Sequence, residues 1–222
     1  MKYSAIILLG GKSTRFGGDL NKVYYCINQK PLFCYPLELF LNDLDCSEVI
    51  VVYNQDNEDI VSEILKNYPT VKKTIGGAMR YQSVLEGLKL ANSEYVLVHD
   101  GARPNISVKM VNDLKEALKT NEVVSLGTLV TDTIKKVTNG SFETINRDNL
   151  YAVQTPQGSN KKILFKALSK VTTEDNITDD LMAVEKYTNI TPKIVLGDKT
   201  NIKVTTIEDY QYIKFLMGER NV

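Results

Sequence analysis

The chain has 222 residues, 43% hydrophobic and 24% charged, an ordinary composition with room for one sizeable α/β domain and a buried core. Lys+Arg and Asp+Glu both number 27, so no net charge draws it toward nucleic acid or an anionic membrane, and any basic site must be local. His99 is the only histidine, and Cys26, Cys34 and Cys46 form no C-x-x-C pair; this leaves little material for Ser–His catalysis or His-ligated zinc, and the cysteines read as buried free thiols.

The first apolar run, Ala5–Leu9, is too short to span a membrane and lacks a signal peptide's cleavage region, so a cytoplasmic protein is expected. It reads as a strand. Further strands are expected at Glu48–Tyr53, Tyr95–His99, Val123–Leu126 and Ile194–Leu196, all apolar without alternation, as in strands covered on both faces. Helical stripes lie between them: Leu37, Phe40, Leu41 and Leu44; Ile60, Val61, Ile64 and Leu65; Val84, Leu85 and Leu88; Val111, Leu114 and Leu118. A last helix is expected near Thr206, capped by its hydroxyl and carrying Tyr210, Ile213 and Leu216. The alternation predicts a mostly parallel sheet flanked by helices, in a single domain over 1–222. From Val130 to Leu150 the chain is polar and β-prone. Asn139-Gly140 between Thr131–Val137 and Ser141–Ile145 signals a hairpin, taken alone a surface excursion.

The first strand leads into Leu9-Gly10-Gly11-Lys12-Ser13-Thr14-Arg15-Phe16-Gly17-Gly18, followed by Asn21-Lys22. Glycines let a backbone approach a phosphate and aim its N–H groups there, and this loop sits where ligands bind in open α/β sheets. It is not a P-loop, because residue 6 is Ile, and not the dinucleotide pattern, because Gly10 and Gly11 are adjacent. Gly76-Gly77 to Ser83 opens a helix and suits either capping or contact with a base edge or anion. His99-Asp100-Gly101-Ala102-Arg103-Pro104 ends a strand in a carboxylate, fit for a metal ion, a ribose hydroxyl or an Asp–Arg pair that shapes the turn. Arg147, Gln154-Thr155-Pro156-Gln157, the helix-starting Thr178-Asp179-Asp180, and Asn201–Thr205 with Lys203 inside an apolar strand add scattered groups suited to phosphorylated ligands.

In this order and spacing the elements resemble the family of 2-C-methyl-D-erythritol 4-phosphate cytidylyltransferase, from about Ala5 to Tyr210. The motifs that carry the resemblance are Gly10-Gly11 to Arg15 and Lys22, G-G-x-x-R-x-x-S-V at Gly76–Val84, and H-D-x-A-R-P at His99–Pro104. D-T-I-K at Asp132–Lys135, Q-T-P-Q at Gln154–Gln157, T-D-D at Thr178–Asp180 and N-I-K-V-T at Asn201–Thr205 complete the set. The resemblance implies a Rossmann-like nucleotidyltransferase fold and a homodimer whose protruding β-hairpin arm, 130–150, completes the neighbour's active site. It implies CTP and a polyol phosphate as substrates and Mg²⁺ as cofactor, with no nucleic acid or membrane as partner. Leu9, Gly10 and Gly11 would hold the triphosphate, and Arg15 and Lys22 would stabilise the transition state. Gly77 and Ser83 would read cytosine, and Asp100 with Gly101 would serve the ribose and the magnesium-bound phosphates. Arg103, Thr155, Thr178 and Lys203 would serve the polyol phosphate, with Thr133 and Arg147 supplied by the partner. The chain departs from the family pattern at Leu8-Leu9, where small or Pro residues are usual, at Asn21 for Pro, and at Gly101 for Ala. Rival readings are a ribitol-5-phosphate cytidylyltransferase, a guanylyltransferase of the molybdenum-cofactor type, and a non-catalytic nucleotide-binding dimer.

Overall fold

The computed structural model describes residues 1–11, 16 and 20–218. β1 (Tyr3–Leu8) is buried along its length and leads into the glycine-rich loop. Then follow β2 (Cys26–Ile27), β3 (Lys30–Pro31), α1 (Cys34–Leu41), β4 (Cys46–Tyr53), α2 (Glu58–Leu65), β5 (Lys72–Ile75), α3 (Arg80–Leu90), β6 (Tyr95–Asp100), α4 (Val108–Leu118) and β7 (Val123–Leu129). The chain continues through β8 (Ile134–Thr138), β9 (Ser141–Ile145), β10 (Tyr151–Asn160), α5 (Lys161–Leu168), α6 (Asp180–Tyr187), β11 (Lys193–Leu196) and α7 (Ile207–Gly218).

Among the described residues the main sheet has seven strands in the order β11-β7-β10-β6-β1-β4-β5. β1 pairs in parallel with β4 and β6, β4 with β5, and β7 with β11; β10 alone runs antiparallel, between β6 and β7. The two-residue period of a strand sends Tyr3, Ala5 and Ile7 toward α1, α2 and α4, while Ile6 and Leu8 face α3, α5 and α6. Each large aliphatic side chain buried this way contributes about 1.5–3 kcal/mol. Both faces are therefore covered, which is why the strands read as continuous apolar runs.

Several expectations need correction. Leu44 lies beyond the end of α1 and is 91% exposed, so it belongs to no buried stripe. The segment Asn201–Thr205 is not a strand; Val204 N–H donates to Ala102 O, and no ladder forms. β5 and β10 were not anticipated. Of the cysteines, only Cys34 is buried, its thiol pushed up to about 12 by burial, while Cys46 is half-buried and Cys26 exposed. The expected cap of the last helix is present: Asp209 N–H donates to the Thr206 hydroxyl at 3.3 Å.

The hairpin is present as β8 and β9, with Thr138 opposite Ser141 and Val137 opposite Phe142. Asn139 and Gly140 take φ of 50° and 79°, the left-handed pair that a two-residue turn needs. Val130 N–H donates to Leu150 O at 3.0 Å and closes the neck of the excursion between β7 and β10.

Candidate active site

Three strand ends finish at one level, because Leu8 is in register with both Val52 on β4 and Asp100 on β6. One more step follows: Leu9 N–H donates to Val52 O at 2.8 Å, and Gly101 N–H to Leu8 O at 2.9 Å. Beyond these ends opens a cleft of about 750 Å³. Its wall takes Gly10, Gly11 and Lys22 from the first loop, Gly77 and Ser83 from the start of α3, Asp100 from β6, and Lys203 from the 201–205 segment. Arg15 lies outside the described residues.

Asn21 ties the neck of the first loop. Its Nδ2 donates to Leu9 O at 3.1 Å and Gly11 O at 3.0 Å, and its Oδ1 accepts from Val23 N–H at 3.3 Å. The carbonyls flanking Gly10 are thus turned to Asn21. Leu9 and Gly101 sit behind the wall, packed against each other; Leu9 is fully buried.

A row of alternating charges forms the floor. Lys203 Nζ is 2.7 Å from Asp100 Oδ2, Arg80 Nε is 3.7 Å from Asp100 Oδ1, and Arg80 Nη1 is 2.7 Å from Asp180 Oδ1. Burial would raise the pKa of Asp100, but Arg80 and Lys203 overcome it and hold the carboxyl well below the usual carboxylate range. Burial also works against the charge on Arg80, and Asp180 and Asp100 more than offset it. Among the described residues of the cleft wall Asp100 is the one carboxylate, and its oxygens face cations. Among the described residues no group of three His, Cys, Asp or Glu gathers to hold a metal. This donor set does not fit a protein-held ion on Asp100.

Thr155 and His99 shape the turn rather than line the cleft. Asp100 N–H donates to Thr155 Oγ1 at 3.0 Å, and Thr155 Oγ1 lies 3.2 Å from His99 Nδ1. His99 Nε2 lies 3.0 Å from Arg103 O, an acceptor only, which assigns the proton to Nε2 and makes Nδ1 the acceptor for Thr155. Burial pushes the His99 pKa down to about 4. A neutral imidazole with both nitrogens engaged has no role as a general base.

The remaining sequence-predicted residues spread out. Arg103 Nη1 donates to Asn201 O at 2.7 Å, so it pins the segment carrying Lys203. Thr178 is exposed, and its hydroxyl lies 3.7 Å from Met182 Sδ. Its neighbour Asp179 caps α6 by accepting from Met182 N–H at 2.9 Å. Thr133 and Arg147 are exposed at the base of the hairpin, where Arg147 Nη1 donates to Thr131 O. Sequence reasoning missed Arg80, Asp180 and Asn21 as site residues. The signal for Arg80 was its place four residues after Gly76 in the G-G-x-x-R spacing.

Glycine-flanked backbone and fixed cations, with no available base among the described residues, suit polyanion chemistry, in which charge is neutralised and no proton need be removed. With this sheet, they define a Rossmann-like nucleotidyltransferase. The chain matches the family described as 2-C-methyl-D-erythritol 4-phosphate cytidylyltransferase over residues 3–219, and it belongs to that family. A protein of that name from Lachnoclostridium phytofermentans is 35% identical over 98% of this chain and 97% of its own length. Another, from Bacillus cereus, is 36% identical over 93% of this chain and 94% of its own length. The crystal structure of 4-diphosphocytidyl-2C-methyl-D-erythritol synthase from Anaerococcus prevotii superposes with a TM-score of 0.86 at 31% identity, covering 98% of each chain. No helix among the described residues is long and apolar enough to cross a membrane.

Proposed function

We propose that this protein transfers the cytidylyl group of CTP to 2-C-methyl-D-erythritol 4-phosphate, giving 4-diphosphocytidyl-2-C-methyl-D-erythritol and pyrophosphate. The observation that carries the reading is the Lys203–Asp100 contact of 2.7 Å at the strand ends, opposite the Gly10–Gly11 loop, in a chain of this family. The triphosphate lies along Gly10 and Gly11, cytosine against Gly77 and Ser83, and the ribose at Asp100. The acceptor's phosphate oxygen attacks the α-phosphorus in line and pyrophosphate leaves. A phosphate monoester is already ionised near neutral pH, so the step asks for no base. It asks for cations against the repulsion of two polyanions, the role we give to Arg15 and Lys22, while Lys203 orients the acceptor. We assign Mg²⁺ to the triphosphate as its counter-ion rather than to Asp100, which faces Lys203 and Arg80.

The dimer belongs to the same proposal. The exposed β8–β9 arm carries Thr133 and Arg147 at its base, and a second copy receives them at its acceptor side. Pyrophosphate release from CTP is to be measured with methylerythritol phosphate and, separately, with ribitol 5-phosphate. Release with the first acceptor is expected. Release with ribitol 5-phosphate alone overturns the acceptor, and release with neither leaves a nucleotide-binding dimer without turnover.

A further inference from the structure

We propose that Arg80, braced by Asp180, is a positioning residue for Asp100 and thereby couples the nucleotide half of the cleft to the acceptor half. The naming of the two halves rests on the functional reading above; the geometry does not.

Arg80 opens α3 directly after the Gly76–Met79 turn, so the turn that lines the cleft also launches this side chain. Its terminal nitrogens meet the two oxygens of Asp180 at 2.7 and 3.1 Å, a fork-on-fork contact that fixes the plane of the guanidinium. With that plane set, Nε faces Asp100 Oδ1 at 3.7 Å. Asp180 is itself held, since its backbone N–H donates to Gln157 Oε1 at 2.9 Å and Gln157 Nε2 donates to Asp179 Oδ2 at 2.9 Å. Asp180 from α6 and Asp100 from β6 thus meet the guanidinium that α3 supplies, and Gln157 of β10 steadies Asp180.

Stability alone accounts poorly for this arrangement. Asp180 is buried and Arg80 keeps 24% of its side chain exposed; such a pair recovers little beyond its own desolvation cost, and apolar side chains of similar volume would pack as well. The unequal distances are informative. Arg80 faces Asp100 without hydrogen-bonding it, which leaves Oδ2 for Lys203 at 2.7 Å. Among the described residues the charged and titratable groups around Asp100 are Arg80 from α3, Asp180 from α6, Lys203 from the 201–205 segment, and Arg103 and His99 from β6 and its turn. Arg80 and Lys203 both offset the burial of Asp100.

The test compares wild type with Arg80→Lys, Asp180→Asn and the reversed pair Arg80→Asp/Asp180→Arg. The readouts are melting temperature, CTP Kd by calorimetry, and kcat and KM in pyrophosphate release. Arg80→Lys keeps the charge and loses the fork; CTP binding and kcat/KM should each fall about 10–100-fold while the protein still melts cooperatively. The reversed pair restores the ion pair but sets a carboxylate against Asp100, so melting recovers and binding does not. Wild-type Kd and kcat/KM in Arg80→Lys, or recovery of both in the reversed pair, overturns the proposal. Should the reversed pair not fold, Asp180→Asn decides with Arg80→Lys: it frees Arg80 to draw Asp100 from Lys203, so KM for the acceptor should rise. Unchanged KM and Kd in a destabilised Asp180→Asn variant overturns the proposal. Absence of turnover in wild type counts against the functional reading alone, because CTP Kd reports on Arg80 without turnover.

Discussion

Leu9 occupies the space that a side chain at residue 101 would need: a Cβ on Gly101 would lie 2.6 Å from Leu9 Cδ2 and 3.2 Å from Leu8 O. The large residue at one position thus goes with the absence of a side chain at the other. Gly101→Ala should cost about 1–3 kcal/mol by overpacking a site with no free rotamer. Leu9→Ala alone should also destabilise, by leaving a cavity. The double variant should be more stable than the sum of the single losses predicts, and thermal melts of all four proteins measure that coupling. Simple additivity would mean that the two residues do not share this space.

Asn21 holds the neck of the first loop through hydrogen bonds to Leu9 O and Gly11 O. Asn21→Asp keeps the acceptor for Val23 N–H and removes both donors, so the loss should appear mainly in ligand binding. CTP Kd should rise about tenfold or more, with a stability loss of about 1–2 kcal/mol in chemical denaturation. Unchanged CTP affinity would remove Asn21 from the binding apparatus.

His99 gives the fold an acid sensitivity of defined sign. Its folded pKa, about 4, lies below the ordinary histidine value, so on acidification the unfolded chain takes up the proton first. Stability is unaffected by this group above about pH 6.5, falls between there and about 4, and levels off below, with a total loss of about 3 kcal/mol. Asp100, with its pKa depressed in the fold, adds a further loss that begins as the pH falls through the usual carboxylate range and continues below it. Denaturant melts from pH 7 to 4 should show the slope, and His99→Gln should flatten it even though the variant is less stable at pH 7.

The arm exposes Val137 at 59% and Phe142 at 75%, and these two residues are cross-strand partners. An apolar pair on a two-stranded ribbon gains stability by being covered. If the arm makes the proposed dimer, replacing both by Ser should shift sedimentation from dimer to monomer with little change in far-UV dichroism. A dimer that persists undiminished would assign the contact to another surface.

What the sequence disclosed, and what it concealed, follows from how each part is stabilised. β1, β4 and β6 are apolar on both faces and legible as strands. β10 sits equally deep but is built from Gln154, Thr155, Gln157 and Ser159, and it pairs their polarity with named partners. Gln154 Nε2 donates to Asp198 O at 2.9 Å, and Asn201 Nδ2 to Thr155 O at 3.0 Å. Such satisfaction leaves no hydrophobic pattern to read. β5 is a four-residue edge strand that opens on Lys72 and Lys73, too short and too polar to leave an apolar pattern. The glycine loop, Asp100 and Lys203 were found because their residue types and motif positions already point to phosphate. Arg80 escaped notice because an arginine at a helix start looks solvated, and only the fold brings Asp180, a hundred residues later, to meet it. Thr155 was placed against substrate for its motif, yet its hydroxyl is spent on Asp100 N–H and His99.

The row Lys203, Asp100, Arg80 and Asp180 holds two cations and two carboxylates within contact of one another, in a protein whose basic and acidic residues both number 27. Its fields cancel within a few ångströms, so the floor of the cleft adds no long-range pull on an approaching polyanion. On the function proposed above, discrimination would begin at contact, when an arriving phosphate competes with Asp100 for Lys203.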